Sequence, residues 1–123
     1  MIRSFMQIYM KNSQEAIPFY EKAFDTKAKI YGTYGDGTIL HAELNVYGHV
    51  FALAELKDAE PAHGNNMQFC FEFGSGNRKK IKQAYTVLSE DAKQNNGPPG
   101  ECDYSKYIFT LIDKYGVSWC IFE

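Results

Sequence analysis

Alternating apolar and polar residues recur along the chain, and each such stretch predicts a β-strand. The alternation is clear in SFMQIYM near the N-terminus, and strand composition also runs from Ile39 to Val46 and from Ser105 to Ile112. Two other stretches space their apolar residues by three or four positions, which predicts amphipathic helices. The first helical set is Ala16, Tyr20, Ala23 and Phe24 after an expected Ser13 cap; the second is Ile81, Ala84, Tyr85 and Leu88 after Asn77.

The same order of elements is written twice. The Met-Gln pair at 6–7 recurs at 67–68, and the Tyr-Gly pair at 47–48 recurs at 115–116. Each copy predicts a strand, a helix and further strands, an order that argues against chance matching of dipeptides. We therefore predict an α+β fold of two β-α-β-β-β modules, 1–56 and 67–123, joined by a linker at 57–66 within one domain. Pairing two modules would form a curved mixed sheet with a concave face, the predicted cup.

Several segments resemble a known group of proteins. SQEAIPFYEKAF, ILHAELNVYGHVFALAE, HGNNMQFCFEF and YIFTLIDKYGVSWCIF resemble the PhnB-like branch of the glyoxalase/bleomycin-resistance proteins, the vicinal oxygen chelate superfamily. The resemblance spans nearly the whole chain and implies the glyoxalase/bleomycin-resistance/dioxygenase-like fold. Asp25-Thr26 stands where Gly-Ala commonly ends the first helix, and CDYSKY replaces the usual Trp-Gly pair. The second departure alters the loop that borders the pocket in such proteins. The resemblance therefore does not imply a particular substrate for this chain.

The resemblance also implies where a metal would bind. Members that use a metal take ligands from the first and last strands of each module, and the matching positions here are Gln7, Ala52, Gln68 and Cys120. Two neutral amides, a methyl group and one thiol offer too little charge and too few donors for a divalent ion. We therefore expect no metal and no other cofactor, with a divalent metal as the disfavoured alternative.

His41 and Glu43 are the candidate catalytic residues. Alternation in the predicted strand from Ile39 to Val46 indicates that Leu40, Ala42, Leu44 and Val46 lie under the helix, which leaves Ile39, His41, Glu43 and Asn45 facing the cup. A histidine beside a carboxylate on one strand face suits a general base or half of a metal site. A purely structural histidine remains the alternative.

Aromatic and polar residues on strands or adjoining loops are the candidate ligand-binding set: Gln7, Tyr9, Gln68, Tyr104, Tyr107, Phe109 and Cys120. A cup lined by aromatic rings and a few polar groups suits a planar or amphipathic small molecule. The predicted function is metal-free binding of a small organic molecule. A metal-dependent lyase, isomerase or dioxygenase is the alternative, and a pure interaction module is a third reading.

Composition limits the classes of binding partner and the cellular location that we expect for the protein. The chain has 123 residues, 45% of them hydrophobic, and a net charge of −2, which predicts one core and neither nucleic acid nor an acidic membrane as partner. No spanning segment or signal peptide is recognisable, so we expect a cytoplasmic protein. The resemblance implies a homodimer, because members of that superfamily often complete their cups by pairing two chains, and the high aromatic content fits a buried interface. Cys70, Cys102 and Cys120 lack metal-type spacing and are expected to be free thiols.

Overall fold

The computed structural model describes all 123 residues, which form two compact units, Met1–Ala62 and His63–Glu123. The division falls inside the predicted linker at 57–66. The first unit contains β1 (Met6–Met10), α1 (Ser13–Phe24), β2 (Lys29–Thr33), β3 (Ile39–Val46) and β4 (His49–Glu55). The second contains β5 (Phe69–Glu72), α2 (Arg78–Leu88), β6 (Gln94–Asn95), β7 (Ile108–Ile112) and β8 (Ser118–Phe122). The predicted α+β class and the repeated β-α-β-β-β order are confirmed.

Each unit contains one mixed sheet of four strands. The strand orders are β1-β4-β3-β2 and β5-β8-β7-β6. In each sheet the first strand runs parallel to the last, and the remaining neighbours are antiparallel. The two copies in the sequence therefore form equivalent sheets, as two modules of common design should.

In the first unit, α1 covers one face of the sheet by packing against β3 and β4. The ring of Phe51 makes T-shaped contacts with two rings of α1, Tyr20 at 5.5 Å and Phe24 at 6.0 Å between centroids. The four predicted helix residues are all buried. We call the opposite side of each sheet its helix-free face.

The buried side of β3 differs from the prediction at its first residues. Ile39 is 3% exposed, whereas Leu40, which alternation placed in the core, is 50% exposed. The pairing of β2 with β3 shifts around Gly32, so one extra residue on β3 breaks the alternation there. From Ala42 onward the predicted phase is correct, because Ala42, Leu44 and Val46 are buried.

Ser13 does not cap α1 as expected. The N-cap is Asn12, which makes no side-chain capping bond. Instead the Ser13 hydroxyl donates to Glu55 Oε1 at 2.8 Å and accepts the Ile39 backbone N–H at 2.9 Å. Ser13 thus joins the helix start to two strands inside the core.

Replacing Ser13 with alanine should lower the free energy of unfolding by about 1 to 3 kcal/mol, because the buried Ile39 N–H loses its acceptor. Urea unfolding of Ser13→Ala measures the change, and Ser75→Ala, at an exposed serine of the second unit, is the control. Equal stabilities of the two variants would contradict a structural role for the Ser13 hydroxyl.

In the second unit, α2 packs against β7. Tyr85 of α2 meets the ring of Phe109 at 5.2 Å between centroids, and Trp119 stacks on Phe69 at 5.0 Å. Trp119 is fully buried. The predicted strand from Ser105 to Ile112 begins only at Ile108, because Ser105 lies in a turn in which its carbonyl accepts the Cys102 N–H at 2.8 Å.

Neither α1 nor α2 has the length and hydrophobicity that crossing a membrane requires.

Candidate functional site

The helix-free face of the first sheet brings several predicted site residues into one row. Gln7 pairs with Ala52, Ala52 pairs with Glu43, and Glu43 pairs with Lys29. Directly paired residues point to the same side of a sheet, so these side chains share one face. Tyr9 pairs with Ala54 one step along the same face and is 55% exposed.

Glu43 is held in this row by a bidentate ion pair with Arg3. The Arg3 Nη1 donates to Oε2 at 3.0 Å and Nη2 donates to Oε1 at 2.7 Å. The guanidinium also lies over the Phe5 ring, 4.4 Å from its centroid. A two-bond fork of this kind fixes the orientation of the carboxylate as well as neutralising its charge.

His41 lies next to the same carboxylate. Its Nε2 is 3.1 Å from Glu43 Oε1. The His41 ring contacts Tyr31 at 5.5 Å and Phe5 at 6.3 Å between centroids, and its side chain is 30% exposed. An ionised carboxylate only accepts hydrogen bonds, so in a neutral imidazole the proton is on Nε2. The lone pair on Nδ1 is then left for another group.

The ion pair decides how Glu43 can act. Hydrogen bonds from Arg3 and then from His41 lower the pKa of Glu43 from 4.5 to about 2. A carboxylate with so low a pKa is a weak base at neutral pH. The arrangement makes Glu43 a positioning residue for His41 and leaves His41 as the candidate base.

Arg3 extends the site beyond the residues predicted from the sequence. Arg3 precedes β1 and was assigned no role, although Arg3, Phe5, Gln7 and Tyr9 occupy every second position. Extending the period-two pattern beyond the strand would have placed Arg3 on the helix-free face. Tyr31 was also missed, because it lies where the β2 and β3 registers shift.

The helix-free face of the second sheet carries other predicted residues. Cys70 pairs with Cys120, and Cys120 pairs with Thr110. Gln68 lies beside this row and donates from Nε2 to Ser118 Oγ at 3.3 Å. Tyr104 is 71% exposed and meets the Phe122 ring edge-on at 5.9 Å.

Two predicted ligand-binding residues lie elsewhere in the second unit. Phe109 is 2% exposed and packs against Tyr85 of α2, so it belongs to the core beneath the helix. Tyr107 lies under the Arg78 guanidinium, 4.9 Å from it, at the start of α2. Neither residue belongs to the helix-free face. Phe109 has the opposite strand phase from Cys120 and Thr110, and Tyr107 precedes the strand, so the structure does not place either residue with the other predicted ligand-binding residues.

The residues at the positions that the resemblance implies for a metal do not fit a divalent ion. Gln7 is paired with the methyl group of Ala52. Cys120 is 5% exposed, and burial followed by the neighbouring Cys70 raises its thiol pKa to about 11. No group of three or more His, Cys, Asp or Glu side chains is arranged to hold a metal ion. Glu43, the nearest charged donor to Gln7 in the row, already binds Arg3 through both oxygens.

The two equivalent units define the class: the chain has the fold of the glyoxalase/bleomycin-resistance proteins, which confirms the expected fold. A Pseudomonas aeruginosa protein matches with a TM-score of 0.83 at 17% identity, covering 99% of this chain and 97% of the other. The PhnB protein of Bacillus cereus matches with a TM-score of 0.75 at 23% identity, covering 98% of each chain.

A third similar structure is a mutant of the fosfomycin resistance protein FosX from Listeria monocytogenes, in complex with Mn(II) and 1S,2S-dihydroxypropylphosphonic acid. Its TM-score is 0.70 at 11% identity, over 99% of this chain and 93% of the other. At these identities the likeness establishes the fold alone. No protein-family model matches the chain, and no curated protein matches its sequence.

Proposed function

We propose that the protein binds a small organic molecule on the helix-free face of its first unit, without a metal, and that His41 is the polar anchor. The supporting observation is the engagement of both Glu43 oxygens by Arg3, while the His41 side chain remains 30% exposed between Phe5 and Tyr31. The carboxylate therefore acts within the protein, and the imidazole faces outward.

The surroundings of His41 indicate the chemistry of the ligand. Phe5 and Tyr31 are 39% and 54% exposed and offer ring surface close to the imidazole. Tyr9, 55% exposed, adds a further ring on the same face of the sheet. Exposed aromatic rings with one directed polar group suit a planar molecule. Because Nδ1 of neutral His41 is an acceptor, the ligand should carry an acidic O–H or N–H, as phenols and enols do.

A metal-dependent lyase, isomerase or dioxygenase remains the competing function, since the similar FosX structure contains Mn(II). In this chain, a metal on His41 and Glu43 would first have to displace Arg3 from the carboxylate. Breaking a bidentate pair costs charge-assisted hydrogen bonds, which are roughly twice as strong as neutral ones. That requirement favours the metal-free proposal.

Binding of substituted phenols, followed by NMR in buffer with chelator, tests the proposal. We expect shifts of the His41 imidazole signals on titration, and affinity at least about tenfold lower in His41→Ala, since one lost hydrogen bond of about 1.4 kcal/mol corresponds to that factor. His49→Ala is the matched control, because His49 is an exposed histidine at the start of β4.

Three outcomes would contradict the proposal. One is the absence of any phenol or enol that shifts the His41 signals. Another is equal affinity in the His41→Ala and His49→Ala variants. The third is a raised melting temperature on adding Mn(II) that His41→Ala abolishes, which would support the metal-dependent alternative.

A further inference from the structure

The three cysteines of the chain all belong to the second unit, and two of them face each other. Cys70 of β5 and Cys120 of β8 are paired residues on adjacent parallel strands. Neighbouring strands lie about 4.8 Å apart. A disulfide spans Cα atoms about 4.4 to 6.8 Å apart, so the register alone places this pair within reach of a bond.

The two thiols differ in their environment. Cys70 is exposed, whereas Cys120 is buried at 5% exposure. Burial is the main cause that raises the pKa of the Cys120 thiol to about 11, and Cys70 beside it adds to the shift. Cys120 is therefore protonated at neutral pH, and Cys70 is the thiol of the pair that a reagent in solution reaches first.

We propose that Cys70 and Cys120 are a redox modification site that forms a reversible disulfide by exchange with an oxidised low-molecular-weight thiol. The site lies in the second unit and does not depend on the proposed ligand of the first.

The exchange takes place in two balanced steps. The Cys70 thiolate attacks one sulfur of the small disulfide, which forms a mixed disulfide and releases one small thiolate that takes up a proton. Cys120 then loses its proton to solvent and attacks the Cys70 sulfur, which forms the Cys70–Cys120 bond and releases the second small thiol. The protein loses two electrons and two protons, and the small disulfide gains them.

Cys102 is the matched control within the same neighbourhood. It is an exposed cysteine in the loop before β7, where its backbone N–H donates to the Ser105 carbonyl at 2.8 Å. No strand partner holds it in register with Cys70 or Cys120. Replacing Cys102 should therefore leave the internal disulfide intact.

The experiment is equilibration of the reduced full chain in glutathione buffers of rising oxidised fraction, followed by acid quench, intact mass and peptide mapping. We expect the loss of two hydrogen atoms, a peptide linking Cys70 to Cys120, one remaining free thiol, and full reversal by dithiothreitol. Cys102→Ser should behave like the unmodified sequence, and Cys70→Ser should form no internal disulfide. A Cys120 variant is not required, because mapping of the unmodified chain identifies the partner directly.

Each contrary result would overturn the proposal. A stable glutathione adduct on Cys70 would show that Cys120 does not resolve it. A bond from Cys102 to either other cysteine would show that the strand register does not select the pair. Three free thiols across the whole buffer range would show that the site is not oxidised under these conditions.

Discussion

Replacing Asp113 with alanine should lower the free energy of unfolding by roughly 3 kcal/mol or more, because three N–H donors, two of them buried, lose the carboxylate that accepts their hydrogen bonds. Asp113 is fully buried. Its Oδ2 accepts the Trp119 indole N–H at 2.8 Å, and its Oδ1 accepts the backbone N–H of Val117 at 3.1 Å and of Tyr115 at 2.9 Å. The carboxylate thus joins the turn to the largest side chain of the core.

Urea unfolding followed by tryptophan fluorescence measures this effect, since Trp119 is the single tryptophan and lies in the core. Asp103→Ala, at an exposed aspartate, should change the unfolding free energy by less than about 0.5 kcal/mol. Asp113→Asn should also lower the free energy of unfolding. An asparagine side chain has only one oxygen to accept hydrogen bonds from the three N–H groups, and its NH₂ group replaces the other acceptor with a donor. A loss below about 1 kcal/mol in Asp113→Ala would refute this account of the turn.

The Tyr-Gly pairs show what the sequence could and could not predict about turns. Both were expected to link the last two strands of a module, and both do. Tyr47 and Gly48 form a tight turn with φ of 52° and 96°, closed by the pairing of Val46 with His49. The second pair instead belongs to a longer turn, in which the Asp113 N–H donates to the Val117 carbonyl at 2.9 Å. The dipeptide fixes the bend, whereas the surrounding residues set the length of the loop.

Periodicity predicted the helix faces well and the strand faces only where pairing is regular. A helix is built from local hydrogen bonds, so its buried side follows from spacing alone. Strand phase also depends on the partner strand, and the register shift near Gly32 reversed Ile39 and Leu40. Phe109 was likewise assigned to a ligand wall although it contacts Tyr85 of α2.

Long-range pairing determined the parts of the candidate site that sequence could not reach. His41 and Glu43 were identified by their alternation on one strand, and they are in contact. Arg3 lies 40 positions from Glu43, so no local pattern connects them. Similarly, Cys70 and Cys120 were expected to be free thiols, as they are in the structure, and only the register of β5 with β8 sets them opposite each other.

Removing the guanidinium in Arg3→Met should raise the pKa of Glu43 from about 2 toward 4.5, since the hydrogen bonds from Arg3 are the largest cause of the lowered pKa. NMR titration of the Glu43 carboxyl carbon measures the shift. Arg78→Met is the matched control, because Arg78 forms a similar fork with Glu123 in the second unit. That variant should raise the pKa of Glu123 and leave that of Glu43 unchanged.

The same variant should change how stability depends on pH. Because folding lowers the pKa of Glu43, its ion pair stabilises the native state fully above pH 4.5, and this contribution is lost as the pH falls toward about 2. The unmodified protein should therefore be more stable than Arg3→Met at pH 7, and the difference should shrink steadily below pH 4.5. A Glu43 pKa that stays near 2 in Arg3→Met would assign the effect to His41, the second cause, and would make the His41–Glu43 contact the dominant interaction of the site.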